Sequence, residues 1–226
     1  MSCLGFQVKL ETQNSRLETV KTVKLYNVAY SGNSYKVRLL LAQLGLPCEI
    51  IEVDILKDGR LDLADEVLSE LDIVVASIHS FMSMERAEIT ERMLAGMENP
   101  YVQIIAHPTG RILLRRDAMA YDMERILDAA RRHGIAMECN AAPDRLDLKD
   151  TYLRMAKDRG VRVVISTDAH SIKNLELMRY GVQMARRGWI EKKDVLNALP
   201  LEEMLAALRP KPGAASAKKA AARAAE

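Results

Sequence analysis

The chain has 226 residues, enough for one large domain or for one domain with an additional fragment. Hydrophobic residues make up 49% of it, but it has only two Phe and one Trp against 12 Met, which predicts an aliphatic, methionine-rich core. A net charge of +2 is too small to indicate a nucleic-acid or membrane partner by itself. No apolar run approaches the about 20 residues that span a bilayer, and residues 1–22 lack the apolar core of a signal peptide.

The cysteines give a hint of the compartment. Cys3, Cys48 and Cys139 are far apart and odd in number. They have neither the C-x-x-C spacing of a metal site nor the pattern of a disulfide framework. A reducing, cytoplasmic location is the simplest expectation.

The first part of the chain predicts a short segment followed by a βαβ unit. Residues 1–22 are unassigned, apart from an alternating, strand-like pattern at 6–10. The βαβ unit consists of a strand at 23–28, a helix at 35–44 that Gly45 ends, and a strand at 48–56.

Strands and helices then alternate to the end of the chain. Strands are predicted at 73–78, 102–106, 135–140 and from 163 onward, and helices at 61–71, 84–97, 122–133, 150–159, 175–187 and 201–208. Such alternation produces parallel βαβ units with right-handed crossovers, in a barrel or a large open sheet. Residues 210–226 are rich in Ala, Lys and Pro and are predicted to be a solvated basic tail.

Acidic and imidazole side chains occur where the predicted strands end. They are Glu52, His79, His107, Asp168 and His170. Because the carboxyl ends of parallel strands open on one face, these groups would converge there. Imidazole and carboxylate together suit zinc, manganese or iron. One histidine at a strand end is more often structural, but three at equivalent places beside two carboxylates predict a metal site.

A first resemblance lies in the stretch KLYNVAYSGNSYKVRLLLAQLGLPCEIIEVDIL. It resembles the start of the thioredoxin-like domain of glutathione transferases, which implies that Ser31 or Ser34 would hold the glutathione thiolate. The later proline-bearing strand and acidic-Ser turn of that family are not found in the sequence. The alternative is that both serines only cap a helix. A glutathione-binding protein is therefore a third alternative for the function.

A second resemblance is carried by the segments EVDILKDGRLD, DEVLSELDIVVASIHS, TERMLAGMENPYVQIIAHPTGR, MECNAAPDRLDLKDTYLRMAKDRGV, STDAHS and LMRYGVQMARRGW. They are similar to the C-terminal polymerase-and-histidinol-phosphatase (PHP) domain of bacterial family X DNA polymerases. The resemblance implies an α/β fold, a parallel (βα)7-type barrel that is incomplete at its N-terminus here and follows a thioredoxin-like βαβ unit. The predicted domains are 1–22 (unassigned), 23–51 (transferase-like), 52–209 (PHP-like) and 210–226 (tail).

Metal-ligand roles follow from the same resemblance. Glu52 resembles a carboxylate that bridges two metals, and His79 and His107 resemble the other ligands of the second metal. Asp168 resembles a ligand of the first metal, and His170 of the third. The family opens its PHP domain with an H-x-H motif, whereas no histidine precedes His79 here. One to two ions of Mn²⁺ or Zn²⁺ are therefore expected, rather than the three of the family.

Four further polar residues have two interpretations each. Arg111 and Arg145 could contact a substrate phosphate, or they could form structural ion pairs. Glu138 and Asn140 could orient the ligand imidazoles, or they could be satisfied polar groups of a barrel.

The predicted function is a metal-dependent phosphoesterase, a 3′–5′ exonuclease type of hydrolase whose substrates are DNA 3′ ends or another phosphoester. The loss of the H-x-H motif puts this activity in question. The alternative is an inert or binding module in which the upstream βαβ unit fills the gap left by the missing strands. No membrane partner is expected.

Overall fold

The computed structural model describes residues 8–11, 22–26, 48–51, 54–71, 73–169, 171–208 and 210. A three-stranded sheet contains β1 (Val8–Glu11), β2 (Thr22–Tyr26) and β3 (Cys48–Ile51) in that order. β1 and β2 are antiparallel, and β2 and β3 are parallel. This parallel pairing agrees with the strand order of the predicted βαβ unit. Its predicted helix, with Ser31 and Ser34, lies outside the described residues.

A second sheet carries the remaining strands. They are β4 (Val75–Ala76), β5 (Ile104–Ile105), β6 (Ala136–Asn140) and β7 (Val163–Ser166). The four strands follow one another in sequence order and every neighbouring pair is parallel, so the predicted parallel α/β arrangement is confirmed.

β4 and β5 are shorter than the apolar runs that predict them. At the start of their ladder, the side-chain oxygen of Gln103 accepts a hydrogen bond from the backbone N–H of Val74 at 3.1 Å. A side chain therefore satisfies a donor that a longer strand pair would satisfy with backbone. The short length of these strands is not apparent from hydropathy. The run around Gln103 is apolar apart from Gln103 itself, so it predicts a continuous strand.

Helices connect the strands. The α-helices are α1 (Asp65–Glu70), α2 (Arg86–Glu98), α3 (Met123–His133), α4 (Asp150–Asp158), α5 (Met178–Arg187) and α6 (Leu201–Ala207), and 3₁₀ helices lie at Ile172–Leu177, Lys192–Asp194 and Leu196–Ala198. α3 shows the expected end signals: the Asp122 side chain accepts from the Arg125 N–H, and Gly134 ends the helix at a φ of 67°.

Two helices differ from the prediction by more than two residues at their start. α1 begins at Asp65 rather than at Leu61, because Leu61 forms a β-bridge with Ile55 and the N–H of Asp62 donates to the Asp54 carbonyl. The helix predicted at 175–187 is divided into the 3₁₀ helix Ile172–Leu177 and α5.

The core lies on both faces of the four-stranded sheet. Side chains alternate along a strand, so Val163 and Ile165 of β7 join the main core, which also contains buried residues of the helices. Val164 points to the opposite face, where it packs with Ile104 and with Leu208, just beyond α6. The main core contains the fully buried Met93, Met97 and Met137, as the composition indicated. None of the helices among the described residues is long and apolar enough to cross a membrane.

The close approach of α5 to the sheet gives a stability prediction. A Cβ atom built on Gly181 would lie 2.6 Å from Ile165 Cγ2 and 2.7 Å from Ala141 Cβ. Gly181→Ala should therefore lower the free energy of unfolding by about 1–3 kcal/mol through overpacking, although alanine is the better helix former. Urea unfolding measures this change. Gln183→Ala, on the exposed side of the same helix, should stay within about 0.5 kcal/mol of wild type. Equal stability of all three proteins would contradict the tight packing.

Candidate functional site

Several polar residues lie together at the carboxyl edge of the four-stranded sheet. His79 follows β4, His107 follows β5, Asn140 ends β6 and Asp168 follows β7. The rings of His79 and His107 meet edge to face, with centroids 5.1 Å apart. Asn140 Nδ2 lies 3.4 Å from Asp168 Oδ2. Of the predicted ligands, the structure thus brings His79, His107 and Asp168 to one edge, and Glu52 and His170 lie outside the described residues.

His107 is the most unusual side chain of this edge. It is 1% exposed, yet no residue that the structure describes hydrogen-bonds its Nδ1 or its Nε2. A buried imidazole ordinarily uses at least one ring nitrogen. Burial, and then the charge of Arg145, lowers the pKa of His107 well below its usual value. The ring is therefore neutral, which is the form that binds metals.

His79 is oriented by its neighbours. Its Nδ1 lies 3.0 Å from Asp54 Oδ1, and its Nε2 lies 2.9 Å from Ser77 Oγ. Burial lowers the pKa of His79, and the hydrogen bond with Asp54 opposes this only in part. Burial alone would raise the pKa of Asp54, but the bonds from His79 and Ser80 bring it below its ordinary value. A carboxylate on one ring nitrogen is the usual support of a metal-binding histidine.

Glu138 and Asn140 connect the ends of β5, β6 and β7. Glu138 is buried and accepts hydrogen bonds from the backbone N–H of His107 and from the Ser166 hydroxyl. Burial, and then the charge of Asp168, raises the pKa of Glu138 to about 7. Asn140 Nδ2 is 3.4 Å from Glu138 Oε2, so it stands between the two carboxylates. Glu138 thus holds the backbone of His107 rather than its ring.

The two candidate phosphate ligands have different surroundings. Arg111 donates from Nε and Nη2 to the carbonyls of Arg145 and Leu146, so it fixes the loop that follows β6. Arg145 is buried, with its Nε 3.4 Å from Asp168 Oδ2. No partner among the described residues hydrogen-bonds Arg145 Nη1. Both Arg145 and Asp168 line a cleft of about 660 Å³, together with Ile112 and Arg115.

The sequence analysis did not identify three residues that hold the loops of this edge in place: Asp54, Asp147 and Arg92. Asp147 is fully buried, and its carboxylate accepts from the Thr109 N–H, so it fixes the turn after His107. Burial raises the pKa of Asp147 to about 6. Arg92 is also buried and donates to the carbonyls of Leu56 and Ser80 at 2.8 Å each. The sequence signal that could have identified Arg92 is a charged residue at a helical position shared with the apolar Ile89 and Met93.

The donors at this edge fit a transition-metal ion in part. A neutral, buried imidazole with unpartnered nitrogens, in contact with a second imidazole, is chemistry that suits zinc or manganese. Among the described residues, however, no three His, Cys, Asp or Glu side chains are placed to hold one ion. A further ligand would have to come from the rest of the chain, where Glu52 is the predicted one.

The sequence of this chain is similar to those of several known proteins. The chain is 46% identical over 159 residues to the DNA polymerase/3′-5′ exonuclease PolX of Bacillus subtilis, which covers 70% of this chain and 28% of that protein. The chain carries a PHP domain of the family X polymerase type. Probable phosphatases of Caldanaerobacter subterraneus and Acetivibrio thermocellus are 34% and 32% identical, over 55% and 60% of this chain and 54% of each relative. No protein-family model matches the chain.

This chain thus spans 28% and 54% of the length of the first two of these relatives, less than two thirds of either. The relationship agrees with the resemblance of the sequence segments to the PHP domain of family X DNA polymerases. The transferase-like resemblance of residues 23–51 stays a prediction.

Arg92 offers a test of how the PHP domain supports its candidate site. Because Arg92 ties residues 55 and 56 to the loop after His79, Arg92→Met removes the hydrogen bonds that it donates to the carbonyls of Ile55, Leu56 and Ser80. The expected loss is about 3 kcal/mol of unfolding free energy. Thermal and urea unfolding measure it. The matched control is Arg125→Met, which removes an exposed ion pair with Glu91 and should cost less than about 1 kcal/mol. Equal losses in the two variants would refute the anchoring role of Arg92.

Proposed function

We propose that this chain is a metal-dependent phosphoesterase that hydrolyses phosphoester bonds at DNA 3′ ends. The observation that carries the proposal is the buried His107 ring, whose nitrogens lack hydrogen-bond partners among the described residues while the ring contacts His79. Leaving such groups unpaired in a protein interior costs free energy. A bound cation would remove that cost.

The relatives support this class of chemistry. One is named a DNA polymerase/3′-5′ exonuclease and others are named probable phosphatases. Both names describe the breaking of a phosphoester bond. Their common element with this chain is the PHP domain, so hydrolysis of a phosphoester is the activity that we assign to it.

The proposed metal ligands include three described residues, His79, His107 and Asp168, and two that lie outside the described residues, Glu52 and His170. His79 and His107, with Glu52, would hold an ion of Mn²⁺ or Zn²⁺. Asp168 would be a ligand of a neighbouring metal site and His170 of a third, each with fewer ligands than in the family. When bound, such an ion stabilises charge on a phosphoryl oxygen and lowers the pKa of water. Asp54 would keep the His79 ring in position, and Glu138 would fix the backbone of His107.

Arg145 is the proposed phosphate ligand. Its position in the cleft beside Asp168 would set a fixed positive charge next to the metal ligands. A guanidinium group binds phosphate oxygens through parallel N–H donors, and Nη1 of Arg145 is buried with no hydrogen-bond partner among the described residues. Arg111 would act on the phosphate mainly through Arg145, because two of its own nitrogens bind carbonyls of the Arg145 loop.

The proposed fold of the whole chain is a parallel (βα)7-type barrel that is incomplete at its N-terminus and follows a thioredoxin-like βαβ unit. β3 ends at Ile51, and the Ile55 N–H donates to the Ser77 carbonyl directly after β4. The chain therefore runs from the three-stranded sheet to the free edge of the four-stranded sheet within a few residues. The parallel pair of β2 and β3 supports a thioredoxin-like unit in this place.

An inert or binding module is the second candidate. It is favoured by the lack of three ligating side chains around one point within residues 54–71, 73–169 and 171–208. The missing H-x-H motif points the same way, since fewer ligands would remain than in the family. Metal binding and hydrolysis, measured separately, distinguish the two candidates.

The ligand assignment predicts metal content. Purified protein should retain about one Mn²⁺ or Zn²⁺ per chain after dialysis, and His107→Ala should lose it. Elemental analysis and titration calorimetry measure the stoichiometry. His133→Ala is the matched control. His133 is the last residue of α3 and precedes the amino end of β6, so it is not at the carboxyl edge of the sheet, and its loss should leave metal content unchanged. Unchanged metal in His107→Ala, with a normal melting curve, would refute His107 as a ligand.

The activity itself is tested on a 3′-labelled oligonucleotide with added manganese. Wild type should release nucleotides from the 3′ end, and His79→Ala should be slower by about 100-fold, because metal ligands and their supports carry effects of that order. His133→Ala again serves as the control. A wild-type protein that binds metal but releases nothing from the oligonucleotide would favour the inert module.

A further inference from the structure

A small pocket lies at the amino edge of the four-stranded sheet, the edge opposite the predicted metal ligands. Its walls are formed by the turns that lead from α3 into β6 and from α4 into β7, and by the end of α6. Its volume is about 140 Å³, close to that of a protein cavity that holds one benzene molecule. We call it the amino-edge pocket. The phosphoesterase chemistry proposed above does not use it.

The walls of the amino-edge pocket are mostly apolar. Ile135, Val161 and Leu208 line it, together with Leu196 and Ala207. All of these side chains except that of Ala207 are buried, so they are fixed by the core behind them. Such walls favour a ligand with a hydrocarbon part, because contact with it removes apolar surface from water.

Two arginines add positive charge to this pocket. Arg131 and Arg162 both line it, and both side chains are exposed. Arg131 Nε would lie 3.7 Å from a Cβ atom built on Gly160, so this side chain reaches from the end of α3 to the end of α4. Neither guanidinium group forms a hydrogen bond or an ion pair with a residue that the structure describes.

Helix capping does not require these arginines. Arg131 is in the last turn of α3, where a cation favours the helix dipole. The carbonyls of that turn already have donors, since the Ile135 N–H bonds the Ala130 carbonyl at 2.9 Å and the Gly134 N–H bonds the Arg131 carbonyl at 3.4 Å. Arg162 lies beyond α4, directly before β7. No structural task among the described contacts accounts for either guanidinium group.

We propose that the amino-edge pocket binds a short organic monocarboxylate, with the carboxylate between Arg131 and Arg162 and the hydrocarbon part inside the pocket. Guanidinium groups bind carboxylate oxygens through charge-assisted hydrogen bonds. The volume suits a ligand of about six non-hydrogen atoms. A more highly charged head group fits less well, because the apolar walls would remove part of its hydration. A ligand of this size should bind with a Kd on the order of 1 mM.

Methyl NMR of the full chain, titrated with sodium butyrate, tests this proposal. Butyrate should shift the methyl signals of Val161 and Leu208, with a Kd on the order of 1 mM. The methyl signals of Leu114, which is exposed in the loop after β5, should stay in place. 1-Butanol lacks the charge and sodium phosphate lacks the hydrocarbon part, so each should bind at least about tenfold more weakly than butyrate.

Variants locate the two parts of the ligand. Arg131→Gln and Arg162→Gln should each weaken butyrate binding by about tenfold, because each removes a charged donor. Arg132→Gln is the matched control, since Arg132 is exposed on the same helix and does not line the pocket, and it should bind butyrate within about twofold of wild type. Ala207→Leu fills the pocket from α6 with a good helix former, so it should abolish the butyrate shifts and keep the melting temperature of the ligand-free protein.

The outcomes decide the proposal independently of metal binding and hydrolysis. It is overturned if the Leu208 signals stay in place at about 20 mM butyrate, well above the expected Kd. It is also overturned if butanol or phosphate binds as tightly as butyrate, or if Arg132→Gln weakens binding as much as Arg131→Gln does. Butyrate binding that survives in Ala207→Leu would place the ligand outside the amino-edge pocket.

Discussion

Burial of polar groups at the ends of adjacent parallel strands is the constraint on which the candidate site depends. His107, Glu138, Asn140 and Asp168 lie in a region almost without solvent, where each polar group is costly unless a neighbour satisfies it. The register of β5, β6 and β7 brings these neighbours within reach. A register error would separate the Glu138 carboxylate from the His107 N–H and leave both unpaired in the interior.

The loops around this edge are fixed by charged side chains that do not belong to it. Arg92 reaches from α2 to carbonyls beside Asp54 and His79, and Asp147 receives the Thr109 N–H. Arg111 fixes the loop of Arg145 in the same way. The site is therefore rigid because long side chains satisfy loop carbonyls and amides that sheet hydrogen bonds do not reach.

The chemistry of the edge and that of the adjoining cleft point to the same kind of ligand. A neutral imidazole pair and nearby carboxylates suit a cation, and Arg145 in the adjoining cleft suits an anion. Together these features match a phosphoester bound beside a cation.

The sequence by itself determined the order of strands and helices, the parallel sheet and the presence of His79, His107 and Asp168 at strand ends, because periodicity and helix-end residues are local signals. The resemblance of several segments also identified the PHP domain. Only the tertiary structure decided that Asp54 supports His79, that Glu138 holds the backbone of His107 and that Leu114 is exposed. Such partnerships join residues about 25 to 31 positions apart, and no local pattern specifies which distant side chains a folded chain will bring into contact.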